Sequence, residues 1–240
     1  MKTRSIHGRI LLTLLLTGAV FASAQEATLK ARVELTRNGR RLKDASAAVV
    51  WLTPVSSTVE LPPQKPSEIP QLVQKNKSFQ PSLIVIPVGG KVEFPNHDPF
   101  FHNVFSLFEG KRFDLGLYES GTTRFVQFDK PGISFIFCNI HAQMSAVVIA
   151  VATPYYAISN ARGDVSIPDV PPGRYQIQVF HSGVAPDVLR ALSREITVAP
   201  GDTTLGSLAL AETDLATSHK NKYGRDYDRP EPDSPAYARP

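Results

Sequence analysis

The chain holds one cysteine, Cys138, one tryptophan, Trp51, and two methionines, Met1 and Met144, in 240 residues. A single thiol excludes an internal disulfide framework, a CxxCH haem attachment, a four-cysteine iron–sulfur cluster and a cysteine-rich zinc finger. Long apolar runs are also missing. The mostly apolar stretch Ile10 to Val20 falls well short of the ~20 residues a membrane-spanning helix needs, and no later segment comes closer. An excess of one charge is lacking too, once its placement is considered. The formal charge is +4, but Lys2, Arg4 and Arg9 lie in the first 24 residues, which carry no acid, so that 23 basic face 22 acidic residues beyond Ala24. That near-balance gives no electrostatic footprint, and neither nucleic acid nor an anionic membrane is expected as a partner. No P-loop, dinucleotide fingerprint or nucleophile–base pair occurs, so the chain is not expected to be an enzyme.

What is present suits an exported β-rich protein: 42% hydrophobic and 20% charged residues, with 20 Pro and 15 Gly. Lys2, Arg4 and Arg9, the apolar stretch, and Ala22-Ser23-Ala24 before Gln25 have the three parts of a signal peptide over residues 1–24. A membrane anchor is the competing reading, which the short run disfavours. The expectation is a periplasmic protein, beginning near Gln25 after processing, without stable membrane insertion.

Strand signals follow in succession. Ala31 to Thr36 alternates, Asn38-Gly39 is a hairpin signal, and Ala47 to Leu52 reads as a more buried strand. Five prolines between Pro54 and Pro70 mark a linker or long loop, set at residues 59–70. Ser82–Ile86, a Gly89-Gly90 turn and Lys91–Phe94 come next, then an aromatic-rich loop region from Pro95 to Leu117. Arg124–Phe128 and Ile133–Phe137 flank the turn Asp129–Gly132 and read as a hairpin, and Ser145–Val151 closes this block. Beyond it lie Asp164–Ile167, Pro171-Pro172-Gly173, the clean alternation Tyr175–Phe180, one short helix within Ala185–Glu195, then Arg194–Val198 and Leu205–Leu210. The polar tail 213–240 has no apolar periodicity and is expected to be disordered, with His219 solvated.

Chemistry concentrates at Cys138-Asn-Ile-His141-Ala-Gln-Met144, where thiolate, imidazole and thioether donors stand three residues apart between two apolar strands. His102, just after Val92–Phe94, offers a second imidazole. Two His, one Cys and a weak axial Met form the donor set of a blue copper electron-transfer site. Soft thiolate and imidazoles satisfy Cu(I) and Cu(II) in one compromise geometry, which a rigid sandwich can hold. Each residue also has an ordinary reading: Cys138 as a small buried hydrophobe, Met144 as core filler, either His as a satisfied loop residue. Their conjunction favours a site, since an exported free thiol is otherwise open to oxidation. His97 competes with His102 as the upstream ligand and ranks second. His181 ends an alternating strand and is expected to be structural. Phe100, Phe101, Phe105 and Phe108 read first as a packing cluster and second as an apolar rim for brief redox docking.

The C-x2-H-x2-M spacing with upstream His102-Asn103-Val104 resembles the small cupredoxins of the plastocyanin and amicyanin type, the short loop being closest to amicyanin. Phe94–Asp98, Phe101–Ser106 and Arg112–Tyr118 resemble the bacterial proteins called plastocyanin-like or methylamine-utilisation-like, over roughly Gln71 to Val151. The resemblance implies one type 1 copper site with His102, Cys138 and His141 equatorial and Met144 axial, and Asn103 pinning the Cys loop. Asp164 to Val179, with its Pro-Gly-x-Tyr sequence, resembles the latter part of a carboxypeptidase-regulatory-like sandwich. The resulting fold class is all-β: a cupredoxin Greek-key β-sandwich (71–152) plus a smaller prealbumin-like β-sandwich split into 27–58 and 154–212 by the insertion. Two small domains in sequence are the alternative.

The leading function is a periplasmic copper protein carrying single electrons between redox protein partners that dock transiently. A copper-binding carrier or sensor is second, though Met144 is a sparse supply of thioether for that role, and a metal-free interaction module is third. The His-x-His and His-Cys-His patterns of copper oxidases and nitrite reductases are missing.

Overall fold

The computed structural model describes residues 26–56, 61, 68–107, 110–213 and 219–227. The signal segment, most of the Pro-rich linker, Phe108 and much of the tail fall outside them. Among the described residues the chain is all-β with one short helix, and no helix is long and apolar enough to cross a membrane.

The chain opens with β1 (Ala27–Arg37), β2 (Arg40–Arg41) and β3 (Val49–Pro54). A second group follows: β4 (Val73–Gln74), β5 (Phe79–Gln80), β6 (Leu83–Pro87), β7 (Gly90–Pro95), β8 (His102–Ser106), β9 (Phe113–Tyr118), β10 (Thr123–Phe128), β11 (Gly132–Cys138) and β12 (Ser145–Val151). The last group is β13 (Tyr156–Ile158), β14 (Asp164–Val170), β15 (Gly173–Phe180), α1 (Pro186–Leu192), β16 (Arg194–Val198) and β17 (Thr203–Glu212).

The first and last groups make one sandwich. One sheet runs β14-β1-β17 with β2 on β1, the other β13-β3-β15-β16. In β1 the residues Leu29, Ala31, Val33 and Leu35 point into the core while Lys30 and Arg32 face out, the period of two that a half-buried strand requires. Asn38 (φ 51°) and Gly39 (φ 73°) turn β1 into β2 with both central residues left-handed, the geometry whose twist matches the flanking strands. Gly163 (φ 83°) is required by close approach: its carbonyl accepts from Val33 N–H at 2.7 Å, and a Cβ there would lie 2.0 Å from the Val33 oxygen.

The middle group forms the second unit. Its larger sheet runs β6-β12-β11-β8-β9, with β6 parallel to β12. Facing it, β10 pairs with β7, and isolated bridges at Gln71–Glu93 and Gln74–Asn96 lay the segment 71–74 beside residues 93–96. A buried core including Phe94, Val104, Ile136, Cys138 and Met144 lies between the sheets.

The units meet through strands buried on both faces. In β12, Ala146, Val148 and Ala150 enter the second unit's core, whereas Val147, Ile149 and Val151 pack on Val49 and Phe180 of the first sandwich. β3 behaves likewise, with Val50 and Leu52 in its own core and Val49 and Trp51 at the joint. Continuous apolar runs such as 146–151 arise where a strand is covered on both sides.

Several expectations change. Arg124–Phe128 and Ile133–Phe137 do not pair with each other: β10 joins β7, while β11 joins β12 and β8. The Asp129–Gly132 turn therefore arches between sheets. The same is true of Gly89-Gly90, since β6 joins β12. Residues expected as an aromatic loop contain the hairpin β8–β9. β8 (His-Asn-Val-Phe-Ser) is buried at every position, so its polar residues hide the strand period. In the tail, residues 219–227 pack against the second unit, and His219 is half-buried.

Candidate metal centre

Two adjacent strands converge on the site. β8 begins at His102 and pairs antiparallel with β11, which ends at Cys138; the pair Cys138–Val104 sets the two ligand candidates side by side. From Cys138 the chain turns through residues 139–144 and re-enters the sheet as β12. That turn is closed by main-chain bonds: Met144 N–H donates to His141 O (3.0 Å) and Cys138 N–H to Met144 O (3.2 Å). A third, Asn139 N–H to Asn103 O at 2.9 Å, ties it to β8.

Here His102, Cys138 and His141 bring one donor atom each within 4.8 Å of one another. The Cys138 Sγ lies 3.6 Å from His102 Nδ1 and 3.7 Å from His141 Nδ1. Metal–nitrogen and metal–sulfur bonds of about 2.0–2.3 Å to a tetrahedral ion space such donors roughly 3.5 Å apart, so the residues fit a metal ion. His102 is wholly buried and His141 half-buried, leaving His141 the ring nearest solvent. Met144 is fully buried in the same core as Cys138. His97 is exposed and outside the cluster; its N–H donates to Gln74 O.

Electrostatics leave the donors' lone pairs available. Burial depresses both imidazoles, His141 to about 4, so both are neutral at pH 7. Burial pushes the Cys138 thiol up, against three N–H groups, of Asn103, Ile140 and His141, that favour the thiolate. A cation between the three donors would reverse that balance, since a coordinated thiol deprotonates.

Sequence reasoning missed Asp98. Its Oδ2 lies 2.9 Å from His102 Nε2 with both groups buried. Because a carboxylate only accepts, Nε2 carries the proton and Nδ1 presents its lone pair toward Cys138. Asp98 also accepts from the N–H groups of Asn76 (2.6 Å) and Lys77 (3.0 Å), where two left-handed residues aim consecutive amides at it. Burial opposes its charge, but these bonds and the His102 ring hold the carboxyl below its usual range. The spacing Asp98-x3-His102 was the available signal.

Other expected roles shift. The Asn103 side chain donates to Asp114 (2.6 Å) and to Gly116 O (3.0 Å), so the tie to the Cys loop falls to its main chain. Phe105 is buried, Phe101 is exposed, and the Phe100 ring lies 5.3 Å from His102 and 5.4 Å from His141. His181 sits apart in the sandwich, its Nδ1 accepting from Gly183 N–H.

No protein-family model and no curated protein matches the chain. Among solved structures it is similar to a purple cupredoxin from Nitrosopumilus maritimus, 22% identical over 34% of this chain and 99% of that one, with a TM-score of 0.31. A copper-containing nitrite reductase from Thermus scotoductus SA-01 is 24% identical over 41% of this chain, which spans 25% of that enzyme, with a TM-score of 0.33. A reduced amicyanin variant is 14% identical over 37% of this chain and 87% of that one, with a TM-score of 0.33.

Proposed function

We propose that the chain is an exported type 1 copper protein that carries single electrons between redox proteins. The supporting observation is the convergence of Cys138 Sγ with two neutral imidazole Nδ1 atoms at 3.6 and 3.7 Å, at the edge of a buried core. One thiolate and two imidazoles, with a thioether in the same core, are a soft mixed donor set that suits copper better than Mg²⁺ or Ca²⁺. Copper held there supplies a one-electron Cu(I)/Cu(II) couple.

The chain's own residues account for the rest. His102 is fixed in tautomer and orientation by Asp98, and Cys138 by the main chains of β8 and the 139–144 turn. Met144 is the axial donor in this reading. His141, least buried of the three, is where an electron enters or leaves, beside Phe100. Partners are redox proteins that dock briefly over a small interface. Catalysis has no assigned residue, and the location is the periplasm, reached by the signal segment 1–24.

The test is addition of Cu(II) to the purified processed protein. An intense blue colour with a narrow-hyperfine EPR signal, cycling reversibly on reduction without loss of metal, is expected. A colourless product overturns the copper reading; a blue product that sheds copper on each reduction turns the role into metal carriage.

A further inference from the structure

The carboxy-terminal residues 219–227 lie across the outside of the Cys138 turn. Residues 221–225 fold on Asn221, whose Oδ1 accepts from Tyr223 and Arg225 N–H while its carbonyl accepts from Gly224 N–H, with Gly224 left-handed (φ 74°). From the segment 219–227 four contacts reach the candidate site. The Tyr227 hydroxyl donates to the Cys138 carbonyl at 2.7 Å, and Lys222 N–H donates to Asn139 Oδ1 at 2.9 Å. Lys222 Nζ donates to Asp114 at 2.8 Å, the carboxylate that receives the Asn103 side chain beside His102. The His219 ring stacks on Phe137, centroids 4.0 Å apart.

The geometry points to the strap 219–227 as part of the metal centre's support, with Tyr227 and Lys222 as positioning residues for Cys138 and for the Asn103–Asp114 pair. A hydroxyl has one hydrogen, and here it goes to the Cys138 carbonyl. His219 Nδ1, 3.2 Å from the Tyr227 oxygen, is then the donor to that oxygen, which holds Tyr227 from behind. Three consecutive residues, Phe137, Cys138 and Asn139, are thus each gripped from the strap by a different chemistry: ring stacking, a carbonyl acceptor and a side-chain amide. The hydrogen bond from Tyr227 fixes the plane of the Cys138–Asn139 peptide, and with it the main chain from which Sγ projects, so its loss shifts the placing of Sγ between the two imidazoles.

This inference rests on the reading of Cys138, His102 and His141 as metal donors, and the experiment separates the two. Full-length Tyr227→Phe and Lys222→Met are compared with wild type and with Phe125→Leu, a control off the strap at a β10 residue that is 62% exposed. In copper-loaded protein, Tyr227→Phe is expected to shift the charge-transfer band and the reduction potential and to weaken copper binding roughly tenfold, the usual scale for residues supporting metal ligands. Lys222→Met is expected to weaken binding too, Lys222→Arg to restore it, and Phe125→Leu to match wild type. In metal-free protein, hydrogen exchange at the Asn139 and His141 amides is expected to rise roughly threefold to tenfold in Tyr227→Phe, the worth of one net hydrogen bond. If wild type takes up no copper, the metal reading fails and the exchange measurement still decides the strap. Unchanged exchange in Tyr227→Phe, or, where wild type binds copper, an unchanged spectrum, potential and affinity in that variant, overturns the strap's role.

Discussion

His102 and Asp98 form a buried pair, Nε2 to Oδ2 at 2.9 Å, in which the carboxylate is held in turn by the amides of Asn76 and Lys77. Asp98→Asn keeps the shape but removes the charge. The expected result is a rise in reduction potential, because a nearby negative charge favours Cu(II) over Cu(I), with copper affinity about 10–100-fold weaker. Voltammetry and competitive copper titration measure both, and an unchanged potential contradicts the pairing.

The ligand candidates separate by chemistry. Cys138→Ser is expected to abolish the blue colour, whereas Met144→Leu keeps it and shifts the potential, since a weak axial donor tunes more than it binds. His97→Ala is expected to change neither, because His97 is exposed and outside the cluster. Absorption spectra of the three variants are sufficient to check this.

Acid should weaken the metal-free protein in a defined window. Burial depresses both site imidazoles, His141 from 6.5 to about 4, so the unfolded chain binds more protons between those values. Stability tied to them is fully present above about pH 6.5 and lost as pH falls toward 4. Below that, the depressed Asp98 carboxyl adds a loss of the same sign as it protonates. Urea midpoints measured in chelator from pH 8 to 3.5 are expected to fall through this range, and a flat profile is inconsistent with two rings held neutral by burial, one whole and one partial.

Gly163→Ala places a methyl 2.0 Å from Val33 O at φ 83°, so backbone must move. A left-handed non-glycine residue costs about 1–3 kcal/mol and the displaced Val33–Gly163 bond adds to it. Thermal unfolding is expected to show a loss above 2 kcal/mol, with the copper spectrum unaffected because Gly163 lies in the other unit.

Ile149→Ala empties a site at the joint between the units. A buried Ile→Ala typically costs about 2–5 kcal/mol. Calorimetry is expected to show a lowered transition, and a split into two transitions is the outcome that marks loss of coupling between the units.

Much of the architecture is legible in local pattern. The alternation of Tyr175–Phe180, the Asn38-Gly39 turn and the helix after Pro186 all stand where the residues place them, because each depends on near neighbours. Strand partnership is different. The same Pro-Gly or Gly-Gly signal serves a hairpin and an arch, and only the packing of Val126 and Phe128 opposite Ile136 across one core decides it. The candidate donors were legible because three are gathered within seven residues. Asp98 was less so, and Tyr227 not at all: its contact with Cys138 spans 89 residues and leaves no trace in spacing or composition.

Along β12 the small residues Ala146 and Ala150 flank Val148 on one face, while Val147, Ile149 and Val151 line the other. Most strands are kept from slipping by the cost of turning polar side chains inward. From Ala146 to Val151 this one has no polar side chain to turn. Its pairing with β11 and β6 must be held by bulk alone: a shift of one residue would press Ile149 into the space of Ala150 or Val148, opposite Gly132 or Ser134, and leave gaps against Val49 and Phe180. Alignment of the unit that carries Cys138 on its neighbour is therefore encoded in side-chain volume, and substitutions that preserve hydrophobicity but exchange size at 146–151 are the ones it cannot absorb.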